Sequence, residues 1–266
     1  QAVKKLKAEG IPIVDLVAPP YDIIYDEWQD RLYDRNPYNI IRLIKTRRES
    51  GDTSDSDKYS RAANWLQAWI DSGILGFDDS PSIYVRSDTF EHNGERHTRL
   101  GFIALVRVEE FGRGIYPHER TLSGPKIDRM NLVKATRAWF SQVFSVFRDP
   151  VGEIQDMLAA IASTAPDLDF TDEQGILRHM WRVDDPVFVG NIVSAMAGRD
   201  IIIADGHHRY ETSIAYKAFR EKDRTAADEP FDYVSMYFSN ADAPGMAILP
   251  THRKITGLKS FDRRSF

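Results

Sequence analysis

An aliphatic run, Ile201-Ile202-Ile203-Ala204, passes into Asp205-Gly206-His207-His208-Arg209 and then into the polar Tyr210-Glu211-Thr212. A buried strand that meets glycine and then a helix start presents backbone amides able to hold an anion. Gly206 lets the backbone approach closely, and His207, His208 and Arg209 add donors for phosphate oxygens. Asp205, at the strand end, can hold magnesium or orient a nucleophile. A plainer reading has Asp205 capping the helix and the histidines solvating its first turn. Two adjacent histidines, an arginine and a strand-end carboxylate weigh toward a site.

A second polar segment, Pro117-His118-Glu119-Arg120-Thr121-Leu122-Ser123-Gly124-Pro125-Lys126-Ile127-Asp128-Arg129, reads as a proline-bounded loop, and such loops carry sites more often than cores do. Glu119 suits a general base with His118 beside it, while Arg120, Thr121, Lys126 and Arg129 suit phosphate binding and charge neutralisation. The alternative is a solvated loop whose charges pair with one another. In Ala18-Pro19-Pro20-Tyr21-Asp22 two prolines force an extended path that aims Tyr21 and Asp22, either as a pocket wall or as a structural bend. Asn36-Pro37-Tyr38-Asn39 reads in the same two ways, with Asn39 as its candidate substrate contact. Thr251-His252-Arg253 is a weaker candidate.

The elements that must position these groups are legible as periodicity. Residues 26–35 have helical composition and stop near Asn36-Pro37. Tyr59, Ala62, Ala63, Leu66, Trp69 and Ile70 recur at helical spacing ahead of Gly73. Residues 82–109 form two β-type runs joined at Asn93-Gly94, a pair suited to a left-handed hairpin turn. Further strands are expected at 142–147, 176–183, 201–204, 231–238 and 247–249, and helices near 128–140, 152–162, 186–197 and 208–221. The expectation is an α/β fold with a mixed sheet, surrounding helices and a β-hairpin in the N-terminal half. It is read as one unit over 1–266, with helices and hairpin in 1–110 and the phosphate-site region in 111–255. The polar end of the chain suggests that a C-terminal part is missing. Trp65, Trp69, Trp139 and Trp181 are expected in the core.

Composition narrows the chemistry. Hydrophobic residues make up 42% and charged residues 28% of the 266, the profile of a folded globular chain. A net charge of −5 with scattered basic residues disfavours nucleic acid as a partner. The lack of cysteine excludes disulfides, thiolate nucleophiles and cysteine-held metals, so any metal must sit on His, Asp or Glu. No apolar run approaches the roughly 20 residues of a membrane span, and the Lys-rich start has no signal-peptide core, so a cytoplasmic chain without a membrane partner is expected. Walker A, GxGxxG, GxSxG, HExxH and kinase signatures are absent.

Ala18-Pro19-Pro20-Tyr21-Asp22, Asn36-Pro37-Tyr38-Asn39, Pro117-His118-Glu119-Arg120-Thr121 with Gly124-Pro125-Lys126, and Asp205-Gly206-His207-His208-Arg209-Tyr210-Glu211 together resemble the bacterial and archaeal domain of unknown function 1015 family, over nearly the whole chain. More distantly, the Gly206–Tyr210 turn is similar to the Gly-Glu-Arg-Arg phosphate motif of the ParB-like superfamily of nucleotide-binding clamps, sulfiredoxins and free-serine kinases, with histidines in the Glu and first Arg positions. This resemblance implies a ParB/sulfiredoxin-like element around the turn. Sulfiredoxin chemistry is excluded because the chain has no cysteine. What remains implied is a nucleotide-dependent phosphotransferase, with Mg2+ and with ATP or ADP as donor, acting on a small hydroxyl-bearing metabolite such as L-serine. Two other readings stand beside it: a noncatalytic nucleotide-binding module, and a metal-dependent phosphoesterase built on His118, His207, His208 and Asp205.

Overall fold

In a computed structural model of the chain, the described residues are 6, 10–53, 56–119, 123–246, 256–257, 262 and 264, with 123–125 described in backbone only. The N-terminal part carries helices α1 (Asp26–Arg35), α2 (Ile41–Ile44) and α3 (Lys58–Asp71). The hairpin strands β1 (Ile83–His92) and β2 (Glu95–Arg107) follow, then β3 (Ile115–Pro117), α4 (Ser123–Thr136), β4 (Val143–Phe147), α5 (Glu153–Ala162), β5 (Leu168–Thr171) and β6 (Leu177–Val183). The last elements are α6 (Pro186–Met196), β7 (Ile201–Asp205), α7 (His207–Arg220) and β8 (Tyr233–Asn240). The strands form one 8-stranded mixed sheet in the order β3-β7-β4-β8-β2-β1-β6-β5, in which β3 runs parallel to β7 and β4 parallel to β8.

Local chemistry explains the boundaries. α1 ends at Asn36, which is extended ahead of Pro37, because proline excludes helical backbone in the residue before it. α3 starts with a capping box: the Asp57 carboxylate accepts from the amides of Tyr59 and Ser60, and Ser60 Oγ accepts from the Asp57 amide. The hairpin turns at Asn93 and Gly94, with φ of 52° and 78°, the left-handed pair that a tight two-residue connection requires. α6 starts with Asp185 accepting from the Val187 amide and with Pro186 in its first turn.

Strand alternation gives the sheet two unlike faces. One face buries Val85, Phe102, Trp181, Met236 and Phe238 against Ile154 and Leu158 of α5 and Ile192 of α6. Phe102 stacks on Phe238 at 5.0 Å between ring centroids and meets Phe147 edge-on at 6.2 Å. The other face carries Arg86, Asp88, Arg99, Phe144, Arg178 and Tyr237, because Asp88 pairs across to Arg99 and Arg178 while Phe144 pairs to Tyr237.

Several expectations shift. The strand expected at 231–238 starts at Tyr233, since Phe231 lies in a short 3-10 turn, Pro230–Asp232. Residues 123–129 are helical rather than loop. The strand expected at 247–249 and the motif Thr251-His252-Arg253 lie outside the described residues. Trp69 and Trp181 are buried and Trp139 is partly buried, but Trp65 is exposed at the rim of α3, under the Arg42 guanidinium. No helix among the described residues is long and apolar enough to cross a membrane.

Gly101 shows how closely β2 and β8 are fitted. A Cβ there would sit 2.2 Å from the Phe238 carbonyl oxygen and 2.7 Å from the Tyr237 ring. The Gly101→Ala change therefore forces backbone and ring apart, and urea unfolding should show a loss of about 1–3 kcal/mol.

Candidate functional site

Parallel pairing of β3 with β7 sets Pro117 beside Ile203, so the chain leaving β3 runs alongside the Gly206 turn. Gly206 is left-handed, with φ of 88°, and α7 starts on the next residue. The two segments are joined through the histidines. The backbone amide of His118 donates to Nε2 of His207 at 3.2 Å, the two rings meet edge to face at 4.4 Å, and His118 Nδ1 donates to the Ile203 carbonyl at 2.6 Å. Glu119 Oε1 lies 3.1 Å from His207 Nδ1.

These contacts fix which tautomer each neutral ring adopts. Nε2 of His207 accepts a hydrogen bond, so the proton of the neutral ring sits on Nδ1 and faces Glu119. Although close, that contact is poorly aligned, and Nδ1 makes no hydrogen bond of regular geometry. His118 donates through Nδ1, so the lone pair of its neutral form lies on Nε2. His118, Glu119 and His207 offer ligand atoms within 4.8 Å of one another, the one such group among the described residues. A metal on His207 Nδ1 would require the proton to move to Nε2, against the His118 amide. The group is therefore better suited to holding and moving a proton than to ligating an ion. Asp205, the residue expected to hold metal, lies outside this group and pairs with Arg209 at 2.6 Å.

A cavity of about 470 Å³ opens next to the turn, lined by Tyr21, Asp22, Lys45, Lys58, Tyr59, Asp128, Arg129 and His208 among others. Arg129 bonds Asp128 and the Ile44 carbonyl and lies 3.8 Å over the Tyr21 ring. Burial pushes the Asp128 carboxyl up, but hydrogen bonds from Lys58, Arg129 and Tyr59, with the charge of Arg129, win and hold it at about 2. Burial raises Tyr21, with Arg129 opposing, so its hydroxyl stays protonated.

A family model described as "Protein of unknown function (DUF1015)" matches residues 2–266. The chain belongs to the DUF1015 family. No curated protein and no solved structure matches it.

In this DUF1015 chain the residues singled out by sequence divide into three sets. His118, Glu119, Gly206 and His207 come together at the turn, while Tyr21, Asp22, Arg129 and His208 meet at the cavity. Arg209 is a correction: its guanidinium folds back beneath Gly206 onto Asp205 and the Gln142 carbonyl, so it braces the turn from below. Lys126 pairs with Glu211 at 2.6 Å and ties α4 to α7. Asn39 is a second correction, because it is fully buried and its amide is used up on Asp15 O, Val17 O and the Ile41 amide. It positions the segment leading to Ala18 and does not line the cavity beside the turn. Arg120 and Thr121 lie outside the described residues. Sequence reasoning missed Lys45, Lys58 and Tyr59, and gave Asp128 no role. The helical spacing that starts at Tyr59 placed two of them at a helix start but gave them no chemical role.

His207 makes the fold sensitive to pH. Burial lowers its pKa below the ordinary 6.5, His118 lowers it further, and Glu119, Asp205 and Glu211 oppose. The unfolded chain then takes up a proton at a pH where the folded chain does not. This stability is fully present above pH 6.5 and is lost as the pH falls toward the depressed folded value. Urea midpoints measured from pH 7.5 down to 5.5 should fall, and should fall less steeply in His207→Gln.

Proposed function

We propose that the protein is a nucleotide-dependent phosphotransferase acting on a small hydroxyl-bearing metabolite, with free L-serine the first acceptor to test. The observation that carries this reading is a carboxylate, Glu119, held 3.1 Å from a buried neutral histidine immediately beside a glycine turn that opens a 14-residue helix. A general base then stands next to amides suited to anionic oxygens, which is the pairing that phosphoryl transfer to a hydroxyl requires. Similarity of the turn to the ParB-like phosphate motif supports the same assignment and points to the serine-kinase branch.

In this reading Glu119 takes the proton of the acceptor hydroxyl, and His207 Nδ1–H, 3.1 Å away, is the donor that would orient the carboxylate. His118 Nε2 is the second proton acceptor. Tyr21, Asp22, Lys45 and Arg129 form the wall against which the acceptor is oriented. Asp205, exposed at the end of β7, is the carboxylate nearest in sequence to the turn and would hold a magnesium ion carried on ATP or ADP, which would supply neutralisation of phosphate charge. One observation favours a noncatalytic nucleotide-binding module instead: the contact between Glu119 and His207 Nδ1 is not aligned as a hydrogen bond, so the base is not held.

The two readings separate on turnover. Protein incubated with magnesium, ATP or ADP and a panel of hydroxyl amino acids should give a new phosphomonoester signal by phosphorus NMR. Glu119→Gln should lower kcat by about 100-fold or more with little change in KM, since a general base acts in the transition state. Nucleotide binding without any new phosphomonoester would give first place to the binding module.

A further inference from the structure

A second and larger cavity, of about 740 Å³, lies between the N-terminal segment and the sheet face that carries Asp88. That size is ordinary for an organic ligand. Its walls are mainly apolar: Phe144, Phe170 and Met180 line it from the strands, and Val17, Trp28 and Phe140 line it elsewhere. The N-terminal layer is tied down at two separate places. Trp28 and Arg35 of α1 both reach Glu173, in the turn between β5 and β6, while Arg129 of α4 bonds the Ile44 carbonyl and covers the Tyr21 ring. A space bridged in this way suits a small molecule better than a length of folded chain.

The charges around the cavity cancel. Arg86, Arg99 and Arg178 line it and converge on Asp88, which is 1% exposed and accepts from all three at 2.9 to 3.0 Å. Arg178 also pairs with Asp172, and Arg209 pairs with Asp205. Glu173 is matched by Arg35, which lies 3.8 Å from Asp15 as well. Among the described residues, five guanidiniums therefore meet five carboxylates. An ionic ligand would bury its charge with no counter-charge left to receive it, and a low-dielectric setting penalises that heavily. A neutral ligand carries no such penalty, and its apolar body and the apolar walls leave water together.

We infer that this cavity is a binding site for a neutral small molecule with an extended apolar body. Its balanced charges select against carboxylates, phosphates and ammonium ions alike, and its aromatic and aliphatic walls take a chain or ring in place of water. The inference stands apart from the phosphotransfer reading, since it uses neither Glu119 nor the Gly206 turn.

Calorimetric titration of the full chain with decan-1-ol, decanoate and decylammonium, equal in length and unlike in charge, tests it. Decan-1-ol should saturate one site per chain, and both ions should bind at least 10-fold more weakly. Phe170 is half-buried on the edge strand β5, so Phe170→Ala removes part of the wall with little demand on the fold and should weaken decan-1-ol by about 5-fold. Isotope-filtered NMR on the unmutated protein should also place decyl protons against the Phe144 and Phe170 rings and the Trp28 indole. Either ion binding as tightly as the alcohol, uptake of the alcohol without saturation, unchanged affinity in folded Phe170→Ala, or absence of those ring contacts would overturn the inference.

Discussion

The three-residue pairing of β3 with β7 is the contact on which the site depends. It brings together residues 89 positions apart in the chain and leaves the His118 amide facing His207 Nε2. Closing so long a loop costs entropy, and a three-residue ladder contributes few bonds against it. The register is held instead by burial: Ile115 and Ile203 are both in the main core, and the Ile201 amide donates to the Gly114 carbonyl at 2.8 Å just before the ladder starts. A slip of one residue would turn Ile115 out of the core and carry His118 and Glu119 away from His207. The packing of two isoleucines thus sets the distance between a base and its histidine.

The same economy appears on the opposite sheet face. Asp88 is buried where a lone carboxylate would be very costly, and cross-strand register places Arg99 and Arg178 directly opposite it on its two neighbours. Arg86, two residues earlier on the same strand, completes the ring. Gly101 leaves room for the Tyr237 ring to lie across β2 under these guanidiniums, and a larger residue there would displace it. The arginines therefore hold the centre of the sheet and colour the cavity above it.

Elements of adequate length were legible in the sequence because repetition carries their signal. The hairpin was read from Asn93-Gly94 and the β-type runs on either side, and α3 from apolar spacing ahead of Gly73. Three short elements were not read. β3, β5 and α2 have three or four residues each, too few to show a period of 2 or 3.6. Site residues divide along a similar line. Glycine, histidine and glutamate at a strand–helix junction declare what they can do, and His118, Glu119, Gly206 and His207 do meet. Side-chain type does not say which partner a group will find. Arg209 was expected on a ligand and is spent on Asp205 and Gln142, while Asn39 is spent on three backbone groups. The Asp88 cluster is assembled from three strands and leaves no local trace.

Tyr21 borders both cavities, and so does Ile44. On the far side, His208 lines the smaller cavity and Arg209 the larger, since successive helical positions point about 100° apart. The wall between the two spaces therefore consists of the Ala18-Pro19-Pro20-Tyr21-Asp22 segment and the first turn of α7. Prolines stiffen one half of that wall, and Arg129 over the Tyr21 ring ties it to α4. The Asp205–Arg209 pair braces the other half. A ligand that shifts Tyr21 in one cavity must also change the shape of the other, because the same ring forms both surfaces.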